Sequence, residues 1–251
     1  MSDPGLMTGP EVLPPERERE PFWGWIDVVL FAVGAPVFIA GVAIVLRMLL
    51  QTLRWPAETA LALLGMQGLL YVAAYGLLWL ILMVRHSESA WGALRWSVSA
   101  VTGLKLFAAG FVLAFAAAVL GVAMRTPQIE NPVVKFMTDP VSIFVVIVFA
   151  STLGPAAEEA VFRGFLQPVA TRTLGLAGGI AGTSLLFAAL HGFEYQWRWQ
   201  YLLLVFAASL AFGWTRVRWN STGASTLLHA GYNLMFFIGY LMQGRTSLTH
   251  G

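Results

Sequence analysis

Cysteine is absent from this chain of 251 residues, and charged residues make up only 11% of it. Without cysteine there are no disulfides, thiolate metal ligands or cysteine nucleophile, so chemistry has to come from Glu, Asp, His, Ser or Lys. The shortage of charge, together with 58% hydrophobic residues, is far from the composition of a soluble domain. The net charge of +2 is spread over cations scattered between apolar runs, which disfavours nucleic acid as a partner. The expected surroundings are a lipid bilayer.

Long apolar runs predict the fold class, an all-α polytopic bundle of transmembrane helices. A bilayer core of about 30 Å needs a helix of roughly 20 apolar residues, and the chain offers about seven such spans, with roughly six to eight as the range. The runs are 25–50, 56–84, 101–124, 141–167, 175–193, 199–217 and 221–243. The fourth run contains Gly154 and Pro155, where we expect the helix to break. All spans are expected to form one transmembrane domain, 23–251.

The first 22 residues are rich in Pro, Glu and Arg and precede the first apolar run. This composition predicts a disordered polar tail and is unlike that of a cleavable signal peptide. If the tail is cytoplasmic, nine Lys and Arg residues fall on the inner side of the membrane and six on the outer side. The positive-inside rule therefore favours a cytoplasmic N-terminus by a small margin.

Ionisable residues inside the predicted spans are the main functional signal. A charged side chain at the centre of a spanning helix costs about 2.5–3.5 kcal/mol on insertion scales, so such residues are functional candidates. Glu158 and Glu159 are adjacent, and Arg163 follows four residues after Glu159. Glu159 and Arg163 have the spacing of a helical ion pair, whereas Glu158 points about 100° away from that pair. We expect Glu159 to be structural and Glu158 to be available for chemistry.

Two further spans carry polar residues at a matching depth. His191 is the one ionisable residue of the fifth span, and it lies level with Glu158 if the fourth and fifth spans form a hairpin that turns near 173–175. His229 and Asn233 are four residues apart in the seventh span, so they share one helix face.

Counting residues from the nearest span ends gives a depth of about 12–16 Å for Glu158, His191 and His229. All three depths are counted from one face of the membrane, the face that bears the loops 168–179 and 216–220. We therefore expect one buried polar site, open toward that face.

Each of these residues also has a structural interpretation. Glu159 and Arg163 alone could be an internal ion pair, and a single histidine in a spanning helix often only hydrogen-bonds a neighbouring helix. Asp27 lies near a span end, where it can be solvated, and we assign no role to His86 or His250. The coincidence of several polar groups at one depth is what favours a functional site.

Three motifs together resemble those of a known family. They are EExxxR at 158–163, FxxxH at 187–191 and HxxxN at 229–233. They are similar to the motifs of the CAAX-processing and bacteriocin-processing membrane peptidases, the CPBP, Abi or Rce1-like family of intramembrane glutamate peptidases. The resemblance covers about 141–240, the expected catalytic core, and the family usually has about eight spans.

The resemblance implies an intramembrane endopeptidase that cleaves a membrane-associated peptide or protein near its C-terminus. It implies that Glu158 is the general base that activates water, that His191 assists, and that His229 and Asn233 bind the oxyanion. Glu159 and Arg163 would support the site. It implies no cofactor and no metal. The expected partners are a membrane-anchored substrate and the lipid bilayer, and the expected location is the bacterial plasma membrane.

Three alternatives stay open. Two histidines and a glutamate could be zinc ligands of an intramembrane metalloprotease, although the HExxH motif is missing. The polar cluster could instead lock the helices of a non-catalytic membrane scaffold or immunity protein. A transporter with a buried proton relay is disfavoured because we find no internal repeat of the kind that many transporters have.

Overall fold

The computed structural model describes residues 21–54, 60–86, 90–129 and 136–242. Within these ranges the chain is helical and contains no strand, which confirms the all-α prediction. The predicted tail lies outside the described residues except for its last two positions. The helices are α1 (Trp25–Thr52), α2 (Ala60–His86), α3 (Ala90–Ala93), α4 (Ala100–Ala123), α5 (Pro140–Ser151), α6 (Leu153–Glu159), a π-helical segment (Ala160–Leu166), α7 (Gln167–Leu190), α8 (Trp199–Arg218) and α9 (Thr222–Met242).

Five helical segments are long and apolar enough to cross a membrane, so the chain is an integral membrane protein. One of them, Pro140–Leu190, has 51 residues. A straight helix of that length would measure about 77 Å, more than twice the thickness of a bilayer core. The five segments are Trp25–Thr52, Ala62–His86, Ala100–Ala123, Pro140–Leu190 and Trp199–Arg218.

The segment Pro140–Leu190 folds back on itself at Gly175. This glycine has φ 73° and ψ 170°, a conformation that interrupts a helix and that residues with a Cβ rarely adopt. Beyond the turn, Gly179 lies so close to Thr171 that a Cβ at Gly179 would overlap the backbone of Thr171. Farther along, the ring centroids of Phe162 and Phe187 are 5.0 Å apart. These contacts confirm the predicted antiparallel hairpin.

The helix also breaks ahead of the two glutamates, at Thr152. This residue has φ −132° and ψ −75° and separates α5 from α6. Pro155 accounts for the break, because a proline ring clashes with the carbonyl four residues earlier, here that of Ser151, and provides no N–H. The predicted break is confirmed, although the irregular residue precedes Gly154 and Pro155. Thr152 partly compensates, since its Oγ1 donates to the carbonyl of Val148 at 2.6 Å.

Helices α4 and α9 approach each other very closely. A Cβ at Gly110 would overlap the α9 backbone at Leu228 and Tyr232, and a Cβ at Gly231 would overlap the carbonyl of Phe107. Small residues allow this approach between transmembrane helices, where dispersion contacts replace the hydrophobic effect. The close packing fixes α9, and with it the HxxxN motif, inside the bundle.

The start of α1, the end of α2 and the hairpin turn lie at the same end of the bundle. Asp27 is 2% exposed and pairs with Arg85 at 2.5 Å and with His86 at 3.1 Å. The expectation that Asp27 is solvated is therefore wrong, because the last turn of α2 brings two cationic partners to it. At the same end, Arg172 donates to the carbonyl of Trp23 at 3.3 Å.

Candidate active site

The two adjacent glutamates of α6 have different surroundings. Glu159 is fully buried, whereas the side chain of Glu158 is 29% exposed. Oε1 of Glu159 lies 3.3 Å from Nη1 of Arg163 and 3.1 Å from Nδ1 of His229. Oε2 of Glu158 lies 3.8 Å from Nε2 of His229, beyond hydrogen-bond distance. The predicted pair of Glu159 and Arg163 is confirmed, and Glu158 has no hydrogen bond to any other residue that the structure describes.

Arg163 connects this ion pair to α8 by hydrogen bonds. Its Nη2 donates to the carbonyl of Ser209 at 2.9 Å and to the Ser209 hydroxyl at 2.6 Å. Its guanidinium carbon also lies 4.7 Å from the ring centroid of Phe187 and 5.6 Å from that of Phe212, within the range of cation–π contacts. Sequence reasoning missed Ser209 and Phe212, since a lone serine or phenylalanine in an apolar span gives no signal.

His229 lies between the two carboxylates. Its ring stacks on Phe212 with centroids 4.3 Å apart, and its two nitrogens face different glutamates. If Nδ1 donates to Glu159, the neutral ring presents the lone pair of Nε2, and the protonated ring presents an N–H there. The cluster has two carboxylates and one guanidinium, so a protonated His229 would balance its charge. Glu159 therefore orients His229 as well as pairing with Arg163, a role that the sequence did not reveal.

His191 caps the C-terminus of α7, and the ring of Phe187 connects it to the same cluster. Nδ1 of His191 lies 2.8 Å from the carbonyl of Phe187, where it can only donate, so in the neutral ring Nε2 carries the lone pair. The ring centroid of Phe187 lies 4.5 Å from that of His191 and 6.0 Å from that of His229. The two histidines thus flank one aromatic ring at the level of the glutamates.

Asn233 makes its hydrogen bond away from the histidines. Its Nδ2 donates to the carbonyl of Ala150 at 2.9 Å. Ala150 lies in the last turn of α5, where backbone carbonyls lack partners within the helix. One of the two amide hydrogens of Asn233 therefore stabilises the break in the helix, and the other is left for a different acceptor.

Two further features surround the glutamates and were not predicted. A π-helical segment, Ala160–Leu166, begins directly after Glu159, and such segments are frequent at functional sites. Glu194, three residues beyond His191 in the next loop, interacts electrostatically with Glu158. Toward the hairpin turn, by contrast, Phe165, Gln167 and Val169 are buried. These buried residues lie between the glutamates and the hairpin turn. Along this part of the described chain, the structure therefore shows no opening of the site toward residues 168–179.

The zinc hypothesis needs His191, His229 and Glu158 to converge on one point. Among the residues that the structure describes, no group of three or more His, Cys, Asp or Glu side chains is arranged to hold a metal ion.

The fold and this cluster define a class of protein, a polytopic helical membrane protein with a polar site inside the bundle. Residues 140–235 match the family model described as type II CAAX prenyl endopeptidase Rce1-like. The match contains all three motifs, so the resemblance that the motifs indicated is confirmed: this segment of the chain is similar to a family of membrane endopeptidases. No curated protein and no solved structure gives a significant match to the chain.

Proposed function

We propose that the protein is an intramembrane glutamate endopeptidase. The observation that carries this proposal is the division between Glu158 and Glu159. Arg163 and His229 hold Glu159, while Glu158 is partly exposed and beyond hydrogen-bond distance of His229. A general base has to be able to take a proton from water, and the carboxylate of Glu158 meets this condition.

In the proposed reaction, Glu158 removes a proton from a water molecule while the water oxygen attacks the peptide carbonyl carbon. Nε2 of His191 accepts the second hydrogen of that water, because its Nδ1–H is already donated to Phe187. The new C–O bond gives a tetrahedral oxyanion. Protonated Glu158 then gives its proton to the leaving nitrogen, the C–N bond breaks, and an amine and a carboxylic acid form. The acid passes its remaining proton to the amine and leaves the site as a carboxylate. No covalent enzyme intermediate is required.

Two donors are placed to stabilise the oxyanion. In its protonated form, His229 offers Nε2–H beside Glu158 while Glu159 holds the opposite nitrogen. The second amide hydrogen of Asn233 is the other donor. Preorganised donors in a site of low dielectric constant act strongly, and removal of one such donor costs about 10²–10³ in rate in a well-studied protease.

We further propose seven membrane crossings with a cytoplasmic N-terminus, in the bacterial plasma membrane. The turn at Gly175 divides one of the five apolar segments into two, and α9 adds another crossing. The contact of Arg172 with Trp23 at one end of the bundle supports this alternation. At the other end of the bundle, the Tyr201 hydroxyl donates to the carbonyl of Pro127 at 2.9 Å, and this hydrogen bond also supports the alternation.

The proposed substrate is a membrane-anchored peptide or protein that is cut near its C-terminus, as the family description suggests. Cells that produce the wild-type protein or Glu158→Gln at equal levels can be compared by mass spectrometry of their membrane-associated peptides. We expect a precursor to accumulate in the variant and its shortened product to disappear. Identical peptide populations would contradict the proposal and favour a non-catalytic scaffold.

The same assay separates the proposal from the zinc alternative. Cleavage by the purified protein should persist after treatment with a strong chelator, because Glu158 and the histidines act without a metal. Loss of cleavage that zinc restores would instead establish a metalloprotease.

A further inference from the structure

Helix α2 bridges the break between α5 and α6. Tyr71 and Tyr75 are four residues apart, so they lie on one face of α2. The ring of Tyr71 stacks on that of Phe149 in α5, with centroids 5.7 Å apart. The hydroxyl of Tyr75 donates to the carbonyl of Ala156 in α6 at 2.7 Å. One continuous helix thus contacts the chain on both sides of the irregular residue Thr152.

The carbonyl of Ala156 lies directly ahead of the two glutamates. It also accepts the N–H of Ala160, the first residue of the π-helical segment, and a carbonyl oxygen has two lone pairs for two such donors. Glu158 and Glu159 lie between these two positions in the chain. The Tyr75 hydroxyl is therefore bonded to the same helical turn that carries both carboxylates.

The segment around the glutamates is short and is connected to the first part of the chain at both ends. Helix α6 has seven residues, about two turns, so its position depends on the helices packed around it. Beyond the glutamates, Trp23, which precedes α1, donates its indole N–H to the carbonyl of Phe165 at 2.9 Å. Tyr75 and Trp23 both lie outside the matched residues 140–235. The region of α1 and α2 therefore holds the EExxxR motif from both sides.

We propose that Tyr75 is a positioning residue, which holds Glu158 where it can take a proton from the attacking water. The inference rests on the proposed peptidase function. Catalysis needs accurate geometry, and a displacement of about 1 Å can cost about 10²-fold in rate. Tyr75 acts through the backbone of Ala156. Its ring packs against the buried cluster that contains Leu78 and Leu82, so loss of the hydroxyl alone leaves the ring in place.

The variant Tyr75→Phe tests this role, because it removes the hydroxyl and keeps the aromatic ring. The substrate is the precursor peptide that accumulates in cells producing Glu158→Gln. We expect kcat to fall roughly 10–100-fold in Tyr75→Phe, while KM changes less than about twofold. Tyr201→Phe is the matched control, because it removes a hydroxyl that donates to a different carbonyl, that of Pro127, and it should keep the wild-type kcat.

A double variant separates positioning from general support of the fold. If Tyr75 acts through Glu158, its hydroxyl has no further effect once the carboxylate is lost. Adding Tyr75→Phe to Glu158→Gln should therefore lower the residual rate of cleavage by less than about twofold.

Hydrogen exchange of the purified full-length protein in nanodiscs provides a readout that does not depend on cleavage. The amides of 153–159 should exchange about fivefold faster in Tyr75→Phe than in the wild type, because loss of one hydrogen bond of typical strength changes a local opening equilibrium by about that factor. Exchange of 153–159 should be unchanged in Tyr201→Phe.

The possible results distinguish this inference from the proposed function. A wild-type kcat in Tyr75→Phe, with Glu158→Gln inactive, would overturn the positioning role and leave the peptidase function intact. Equal losses of kcat in Tyr75→Phe and Tyr201→Phe, or unchanged exchange of 153–159, would also overturn it. Cleavage by Glu158→Gln at the wild-type rate would contradict the peptidase function itself, and the positioning role would fail with it.

Discussion

The first two helices and the motif-bearing helices are adapted differently to the same bilayer. In the most apolar stretches of α1 and α2, 11% of the residues are buried within the protein, whereas the share is 33% in Pro140–Leu190 and 39% in α8. Most side chains of α1 are thus exposed to lipid, and α2 has few fully buried side chains. The later helices bury charged side chains, such as Glu159 and Arg163, which the middle sections of α1 and α2 lack. A helix that is long and apolar enough can cross the membrane by itself. A polar site within the membrane also needs other helices packed around it.

We expect the largest loss of stability from replacing Arg163, a buried cation of the motif-bearing helices. Replacement by glutamine leaves the carboxylate of Glu159 buried without its guanidinium, and breaking a buried ion pair in this way costs about 3–5 kcal/mol. Melting and yield of purified Arg163→Gln should both fall sharply. Arg47→Gln changes an exposed arginine of α1 and should melt like the wild type. If the two variants are equally stable, the contrast between the two regions is wrong.

The next effect concerns the close contact of α4 with α9. In Gly110→Ala the added methyl group meets backbone atoms of Leu228 and Tyr232 that cannot move independently. Overpacking of this kind costs about 1–3 kcal/mol. Gly41→Ala in α1 is the control, because apart from the local backbone of its own helix no described atom lies within 4 Å of the added carbon. Thermal unfolding in detergent compares the two, and equal melting temperatures would contradict the close packing of α9.

The hairpin turn provides an effect of similar size. Gly175→Ala places a Cβ at φ 73° and ψ 170°, a backbone region that is used almost only by glycine and that costs about 1–3 kcal/mol for other residues. Gly182→Ala, in the same hairpin, meets only Leu174 at 3.8 Å and should not destabilise the protein. A stable Gly175→Ala protein with unchanged melting would show that the segment does not need this turn.

The smallest effect is a dependence on pH at the start of α5. Hydrogen bonds from Ser142 hold the pKa of the Asp139 carboxyl below its usual range. A carboxyl whose pKa is lowered by folding contributes stability above its unfolded pKa, and this contribution is lost as the pH falls through the folded pKa. Melting of the wild type should therefore decrease relative to that of Asp139→Asn as the pH is lowered from 7 to 3. Parallel curves would exclude this contribution.

Much of the site could be predicted from the sequence because helical geometry is regular. The spacing of Glu159 and Arg163 predicted their ion pair, and a hairpin that turns near 173–175 was expected to bring Glu158 and His191 to one depth. Both predictions depend only on residues that are close in sequence or are related by a single turn. Five long apolar helical segments confirm that the chain crosses the membrane, which the sequence predicted because apolar length is the dominant requirement of a bilayer; the count of about seven spans stays a prediction.

Other features depend on contacts between distant helices, and the sequence did not reveal them. The bond of Glu159 to His229 joins residues 70 positions apart. Asn233 hydrogen-bonds Ala150 only because Pro155 interrupts the helix and leaves carbonyls without partners. Burial of Asp27 likewise depends on the end of α2 lying beside it. In each case, the role of the residue depends on a partner that is far away in the sequence. The spacing between nearby residues therefore does not predict that role.

The central claim is that Glu158 performs the chemistry while Glu159 maintains the structure. Its most direct test is cleavage of a membrane-anchored peptide by purified wild-type protein, Glu158→Gln and Glu159→Gln, with melting measured on the same samples. We predict that Glu158→Gln melts like the wild type and cleaves about 10²–10⁴ times more slowly, the typical contribution of general acid–base catalysis. Glu159→Gln should melt at a lower temperature. Cleavage at the wild-type rate by a folded Glu158→Gln protein would contradict the account.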